Sequence, residues 1–182
     1  GKDGKGIIPI AEEPLLSPHH YGPDRVFAHI TMKGDSTSYI DDALERIEAS
    51  GHPVCRFVLE DYYELGGEFY RWEYATAVAG NVLGINPFNQ PNIDQTKETT
   101  KEVIHSYRKS KRYLIPRSTG SVPDLFEDLC QKNYLAIMAY LYQTPKVDTI
   151  LTEFRRLIMK RYNIATTLGY GPRFLHSTGQ LH

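Results

Sequence analysis

Cysteine is scarce in this chain, which has 2 among its 182 residues. Cys55 and Cys130 both follow apolar neighbours, so we interpret them as buried thiols in a reducing compartment and not as a disulfide framework. The chain also lacks an apolar run of the roughly 18 residues that a membrane span needs, and its first residues contain no hydrophobic signal core. These absences predict a cytoplasmic chain with no membrane partner.

An excess of charge of one sign is also absent. Its 21 Lys and Arg residues nearly balance 22 Asp and Glu residues, which leaves a net charge of −1. No nucleic-acid partner is therefore expected, because binding a polyanion over a broad surface requires a basic field. No metal is expected either, since the pair His19-His20 and the pair His176 and His182 lack the additional close ligands of a zinc site.

Short apolar runs alternate with stretches of helical periodicity along the chain. Strands are predicted at Arg25–Thr31, Pro53–Leu59, Tyr134–Leu141 and Ile164–Leu168. Helices are predicted at Ser36–Ser50, Glu68–Leu83, Ile93–Ser110, Val122–Gln131 and Lys146–Tyr162. This alternation, with strands that are apolar on both faces, predicts an α/β fold: a three-layer sandwich in which helices flank a mainly parallel sheet.

The first residues of the chain differ in composition from the rest. Residues 1–24 are rich in proline and glycine and have no sustained period, so an irregular N-terminal arm is predicted there, before a domain at 25–182.

The helix at 68–83 is predicted to be central, because its small residues allow close packing. The aromatic residues in and just before it are interpreted as packing residues: Tyr62, Tyr63, Phe69, Tyr70, Trp72 and Tyr74.

The bend between the second and third predicted helices is the most unusual stretch of the sequence. It is rich in proline and asparagine, and Gln90 precedes Lys97 by seven residues. A long lysine side chain in the second turn of the following helix can point back toward the bend. An amide and an ammonium that converge near a helix N-terminus form a site for an oxyanion or a phosphate. A solvated lysine at a capped helix corner is the alternative.

The same bend resembles the signature of glucose-6-phosphate isomerases. Four residues match its pattern: Phe88, Asn89, Gln90 and Lys97. Three others depart from the glycine, valine and glutamate that are usual there: Asn92, Ile93 and Asp94. The preceding run from Leu65 to Ala77 resembles the helix before this signature in bacterial members. Segments 134–141 and 169–182 resemble the isomerase half of bifunctional transaldolase/glucose-6-phosphate isomerases. The chain is therefore identified as resembling a C-terminal sugar-isomerase (SIS) domain.

The resemblance implies an activity and a role for each matching residue. The expected reaction interconverts glucose 6-phosphate and fructose 6-phosphate by proton transfer through an enediolate, without metal or organic cofactor. Gln90 is expected to contact the substrate near its phosphate, and Lys97 to reach the ring or enediolate oxygens. His176 lies in a phrase similar to the one that carries the ring-opening histidine, although a histidine hydrogen-bonded in a loop is the alternative. The base is expected just upstream of Gly1.

The resemblance also implies partners. They are a sugar phosphate substrate, a preceding SIS domain and a transaldolase domain in a longer chain, while a homodimer stays open. Two other functions are left open by the sequence. One is a non-catalytic sugar-phosphate-binding domain, which only the substitution at Asn92 supports. The other is a docking domain that buttresses a transaldolase.

Overall fold

The computed structural model describes residues 5–89, 91–112, 121, 123–127, 129 and 133–171. A short 3-10 turn at Pro18–His20 lies in the N-terminal arm. The helices and strands that follow are β1 (Phe27–Met32), α1 (Ser38–Ala49), β2 (Val54–Leu59), α2 (Glu64–Leu83), α3 (Pro91–Ser110), α4 (Asp124–Glu127), β3 (Tyr134–Ala139), α5 (Pro145–Tyr162) and β4 (Ala165–Tyr170). This order confirms the predicted alternation of strands and helices.

The four strands form two parallel pairs. In one two-stranded sheet β1 runs beside β2, with Phe27 opposite Val54. In the other β3 runs beside β4, with Tyr134 opposite Ala165. Parallel neighbours need a crossover, which α1 supplies in the first pair and α5 in the second. The predicted α/β class, with parallel strands and flanking helices, is confirmed.

Helix α1 shows how the sequence directs packing. Its apolar residues recur at three- and four-residue spacing, which puts them on one face of a helix. Ala43, Leu44 and Ile47 are buried on that face, and Ile47 is completely inaccessible to solvent. Gly51 follows the helix with a φ of 99°, in the left-handed region that favours glycine, so the helix ends where the sequence predicts.

The arm contributes to the core. Tyr21 packs in one cluster with Leu44 and Ile47 of α1 and Met159 of α5. Its phenolic oxygen accepts a 2.8 Å hydrogen bond from the backbone N–H of Leu16, and burial raises the pKa of Tyr21. Between residues 5 and 24 the 3-10 turn is the one helical element. The packing of the arm into the core has no signature in the local pattern of the sequence.

A buried arginine ties the arm to the second parallel pair. Arg155 of α5 is 2% exposed. Its guanidinium donates to the carbonyl oxygens of Glu12 at 2.8 Å and Ala11 at 3.3 Å. It also donates to the Thr166 hydroxyl at 3.1 Å and carbonyl at 2.8 Å. Glu13 accepts from the Thr166 backbone N–H at 2.8 Å. Desolvation lowers the pKa of Arg155, against the opposing effect of the two nearby carboxylates.

The predicted central position of α2 is wrong. Only Glu68 and Gly80 are buried in this helix. All six aromatic residues that were interpreted as packing residues are exposed, from 42% for Trp72 to 92% for Tyr63. Periodicity and small residues indicate which side chains share a face, but they do not show whether another element covers that face.

The predicted burial of Cys55 is also wrong, because the structure places this thiol on an exposed position of β2. A strand in a two-stranded sheet has one face that can stay open to solvent, so apolar sequence neighbours do not guarantee burial. Cys130 lies outside the described residues. Of the helices in the described part of the chain, none has the length and apolar character to cross a membrane.

Candidate functional site

The bend after α2 is built by local hydrogen bonds. Gly84 ends the helix in the left-handed region, with a φ of 68°. The N–H of Ile85 donates to the carbonyl of Gly80 at 2.9 Å, and the N–H of Phe88 donates to the side-chain oxygen of Asn86 at 2.9 Å. These bonds satisfy backbone groups that the end of a helix leaves open. The chain then turns into α3, whose first residue is Pro91, a residue suited to that position.

Lys97 lies on α3 where the sequence predicts it. It comes six residues after Pro91, which is about 9 Å along the helix axis, and its side chain is exposed. The helix start agrees with the start near residue 92 on which the predicted geometry depends. Gln90 and His176 lie outside the described residues. The convergence of the Gln90 amide, the Lys97 ammonium and the His176 imidazole therefore stays a prediction.

A lysine of the arm contacts the bend. The ammonium of Lys5 donates to the carbonyl of Leu83, the last residue of α2, at 2.9 Å. A cation at this position neutralises the negative end of the helix dipole. Lys5 of the arm is thereby brought beside the bend that follows α2. Sequence analysis missed Lys5, because nothing in an irregular glycine-rich segment signals a contact 78 residues away.

Gly80 packs against the bend without room for a side chain. A Cβ atom at Gly80 would lie 2.6 Å from Cδ of Pro87 and 3.2 Å from the carbonyl oxygen of Ile85. Both neighbours belong to the bend, and neither a proline ring nor a carbonyl can rotate away as a flexible side chain could. The last turn of α2 and the bend therefore pack so closely that only glycine fits at position 80.

We expect the substitution Gly80→Ala to destabilise the fold by about 1–3 kcal/mol, the usual cost of overpacking. Gly66→Ala is the matched control on the same helix, because a Cβ there meets nothing within 4 Å. The control should be stabilising by about 0.5–1 kcal/mol, since alanine is the better helix former. Urea unfolding measures both. Equal effects of the two substitutions would contradict the close approach of Pro87 to the helix.

A tyrosine and an aspartate pair at the carboxyl end of β4. The hydroxyl of Tyr170 donates to the carboxylate of Asp148 at 2.6 Å. The side-chain amide of Gln143 donates to the same carboxylate at 3.3 Å. The hydrogen bond to Asp148, followed by desolvation and the negative charge of Asp148, raises the pKa of Tyr170 to about 12.

This shift predicts a loss of stability at alkaline pH. The folded-state pKa of Tyr170 lies above its ordinary value of 10.0, so the hydrogen bond contributes fully below that pH. Its contribution should disappear as the pH rises from about 10 to about 12. NMR titration of ring-labelled tyrosine gives the pKa, and Asp148→Asn should return it toward the ordinary value. An unchanged titration of Tyr170 in that variant would contradict the assignment of cause.

Of the two histidine pairs that sequence analysis considered for zinc, His19 and His20 lie near each other. The rings of His19 and His20 have centroids 4.0 Å apart, and Nδ1 of His20 lies 3.2 Å from the side-chain oxygen of Asn163. Over the described ranges, no group of three or more His, Cys, Asp or Glu side chains is placed to hold a metal ion. His176 and His182, the other pair, lie outside those ranges.

The chain has a parallel α/β fold. In this fold, the proline-rich bend after α2 precedes helix α3, on which Lys97 is exposed. No protein-family model matches the chain, and no solved structure matches it. It is similar to a glucose-6-phosphate isomerase of Leptospira interrogans, with 25% identity over 134 residues that cover 54% of this chain and 30% of that protein. It is also similar to a glucose-6-phosphate isomerase of Lactobacillus helveticus, with 37% identity over 73 residues that cover 36% of this chain and 16% of that protein.

These similarities support a relationship between this chain and glucose-6-phosphate isomerases, as the signature predicted. The chain spans less than a third of the length of either relative, with 30% and 16% of them covered. The similarity is partial on both sides, so the activity of the whole protein and the neighbours of this domain are matters of proposal.

Proposed function

We propose that this chain is the C-terminal SIS domain of a glucose-6-phosphate isomerase, and that it supplies part of the active site for the reversible conversion of glucose 6-phosphate to fructose 6-phosphate. The observation that carries the proposal is the corner after α2. The bend that follows α2 precedes α3, on which Lys97 is exposed about 9 Å from the helix start. Similarity to two glucose-6-phosphate isomerases supports it.

The chemistry of the reaction suits these residues. Moving a proton between C2 and C1 of the sugar creates negative charge on two oxygens of an enediolate. In the proposed mechanism the ammonium of Lys97 stabilises that charge, and a water-poor site increases the effect. The amide of Gln90 binds near the phosphate of the substrate. The imidazole of His176 opens the sugar ring, a task that suits a group with an ordinary pKa near 6.5.

The base in this mechanism is a glutamate upstream of Gly1, in a phrase whose last two residues Gly1 and Lys2 resemble. The contact between Lys5 and Leu83 supports this assignment, because it brings the arm to the corner. In that phrase the glutamate comes three residues before Gly1. The chain from Lys5 to that position spans at most about 25 Å when fully extended.

The proposed partners follow from the same relationship. The substrate is a sugar phosphate, and a preceding SIS domain and a transaldolase domain belong to the longer chain. The proposed location is the cytoplasm. Neither a membrane nor a nucleic acid is a proposed partner, and the proposal allows a homodimer. Proton transfer requires no metal or organic cofactor, and none is proposed.

A second candidate is a non-catalytic domain that binds a sugar phosphate. Asn92, which stands where the signature usually has glycine, is the residue that favours it. In this candidate Gln90 and Lys97 bind the phosphorylated sugar, and no proton is transferred.

Measurement of turnover in the complete protein separates the two candidates. We expect conversion of fructose 6-phosphate to glucose 6-phosphate, with incorporation of solvent deuterium at C2 in deuterium oxide. Calorimetric binding of fructose 6-phosphate without conversion or exchange would favour the second candidate. Residues 1–182 by themselves should show negligible activity. Detectable isomerisation by that fragment would contradict the placement of the base upstream.

A further inference from the structure

A cleft lies at the opposite end of α2 from the bend, and the proposed isomerase function does not explain it. The carboxyl end of β2 and the first turns of α2 line this cleft, whose volume is about 360 Å³. Small-molecule sites have volumes of about 300–1,000 Å³, and in parallel α/β sheets they lie beyond the carboxyl ends of the strands. Counting 1.5 Å of helix per residue from Glu68 to Gly84, the cleft is about 24 Å from the bend after α2.

The lining combines an apolar wall with charged side chains. Residues 57–59 of β2 supply the wall, and Glu64, Glu68 and Arg71 of α2 supply the charges. Two carboxylates and one guanidinium give the lining a formal charge of −1. A sugar phosphate, which carries about two negative charges, would be repelled here. The charge therefore favours a monovalent cation, which makes the lining neutral.

Glu68 is the unusual residue of this cleft. Its side chain is 5% exposed, and one carboxylate oxygen pairs with Nη1 of Arg71 at 2.5 Å. The other oxygen, Oε2, is buried and has no hydrogen-bond partner among the residues that the structure describes. A buried carboxylate oxygen without a donor is costly. This oxygen is therefore suited to a hydrogen-bond donor on a ligand.

The acceptors of the cleft indicate an organic ammonium and not a metal ion. Over the part of the chain that the structure describes, no group of three or more His, Cys, Asp or Glu side chains is placed to hold a metal. Besides Glu68, the cleft offers Glu64, whose carboxylate accepts from the backbone N–H of Glu60 at 2.7 Å. Glu64 and Glu68 are four residues apart, so they share one face of α2. An ammonium has three N–H donors, and these two carboxylates can accept them.

Gly67 leaves space in the cleft between the two glutamates. It is one of the lining residues, and a Cβ atom at this position would meet nothing within 4 Å. Glycine is unfavourable inside a helix, because it has more conformational freedom to lose than alanine. At this position the missing side chain keeps the cleft open toward the apolar wall.

We propose that this cleft binds a small primary amine, with one ammonium group on a short apolar body. The ammonium donates hydrogen bonds to Oε2 of Glu68 and to the carboxylate of Glu64. The apolar body lies over Gly67 against residues 57–59. The side chain of Arg71 is 55% exposed, and it moves toward solvent to admit the ammonium. Charge neutrality selects the cation, and the apolar wall selects its alkyl chain.

Three probes of graded chemistry test the proposal on the complete protein by ligand-observed NMR at constant salt. n-Pentylamine presents both the ammonium and the apolar body. 1-Pentanol keeps the shape but lacks the charge, and it should bind about tenfold more weakly because it cannot make charge-assisted hydrogen bonds. Methylamine keeps the charge but lacks the chain, and it should also bind about tenfold more weakly because it buries little apolar area.

Matched variants locate the binding of n-pentylamine. Glu68→Gln keeps the size of the side chain and should weaken binding about tenfold. Gly67→Leu places a side chain in the cleft and should weaken binding about tenfold as well, which keeps the test valid if Glu68→Gln fails to fold. Gly66→Leu is the control for Gly67→Leu, because a Cβ at Gly66 also meets nothing within 4 Å but this residue does not line the cleft. Glu73→Gln, at an exposed position of α2, is the control for Glu68→Gln. Both controls should leave binding unchanged.

Several outcomes would overturn the proposal. Equal binding of 1-pentanol would show that the cleft is only apolar, and equal binding of methylamine would show that it takes a bare cation. Equal binding to the Gly67→Leu and Gly66→Leu variants would place the amine elsewhere. Displacement of n-pentylamine by fructose 6-phosphate would place it in the proposed isomerase site. None of these measurements depends on isomerase turnover, so the two proposals succeed or fail separately.

Discussion

Replacing Lys97 with alanine in the complete protein is expected to lower kcat for isomerisation about 10²–10³-fold, the usual cost of removing one group that stabilises charge in a transition state. The physical reason is the enediolate, whose negative oxygens lose their nearest cation in the proposed mechanism. The effect should be larger on kcat than on KM, because this charge develops only as the proton leaves C2. Steady-state assays in both directions measure it.

Lys101→Ala is the matched control for Lys97→Ala. Lys101 lies four residues further along α3, its side chain is 71% exposed, and it pairs with Glu98 at 2.6 Å. An exposed pair of this kind contributes about 0–1 kcal/mol to stability, and no role in the reaction is proposed for it. We expect kcat within about twofold of the unmodified protein. A similar loss in both variants, or no loss in Lys97→Ala, would remove Lys97 from the mechanism.

Replacing Arg155 with methionine should cost about 3–5 kcal/mol of unfolding free energy, as expected when one partner of a buried charged network is removed. Arg155 donates four hydrogen bonds from a position that is 2% exposed. Without it the carbonyl oxygens of Glu12 and Ala11 lose their donor, and methionine fills the volume but satisfies none of these groups. The arm should detach before the rest of the fold, because Arg155 is its main polar attachment to α5.

Arg156→Met controls for the loss of an arginine from the same helix. The side chain of Arg156 is 37% exposed, and its contact with Glu153 at 3.3 Å is a surface ion pair. We expect a change within about 0.5 kcal/mol. Urea unfolding measures both variants, and hydrogen exchange of residues 11–13 reports on the arm. Equal stability of the two variants would show that the Arg155 network contributes little.

The boundaries of α2 show how local rules succeed and fail. Sequence analysis began this helix at Glu68, just after Gly66 and Gly67. The helix instead begins at Glu64 and continues through both glycines. A glycine in a helix costs about 1 kcal/mol and does not forbid it. The carboxylate of Asp61 accepts hydrogen bonds from the N–H groups of Tyr63 at 2.8 Å and Glu64 at 3.2 Å, which supports the earlier start.

Sequence analysis likewise found some features of the candidate site and missed others. Resemblance to the signature named Gln90 and Lys97, and resemblance to a second phrase named His176, because residue type and spacing along the chain are visible in a single sequence. The contact of Lys5 with Leu83 and the cleft around Glu68 were not visible. Each depends on which elements meet in space, and no local pattern reports a contact between residues 78 positions apart.

The sequence by itself determined the order of strands and helices, the parallel α/β class, the buried face of α1 and the residues of the isomerase signature. These depend on side-chain periodicity and turn chemistry, which act over a few neighbouring residues. Only the tertiary structure decided that the arm enters the core and that the aromatic residues of α2 stay exposed. It also decided that Arg155 is buried and bonds to Glu12, which lies 143 positions away in the chain. Burial depends on what covers a face, and the covering element is distant in the chain.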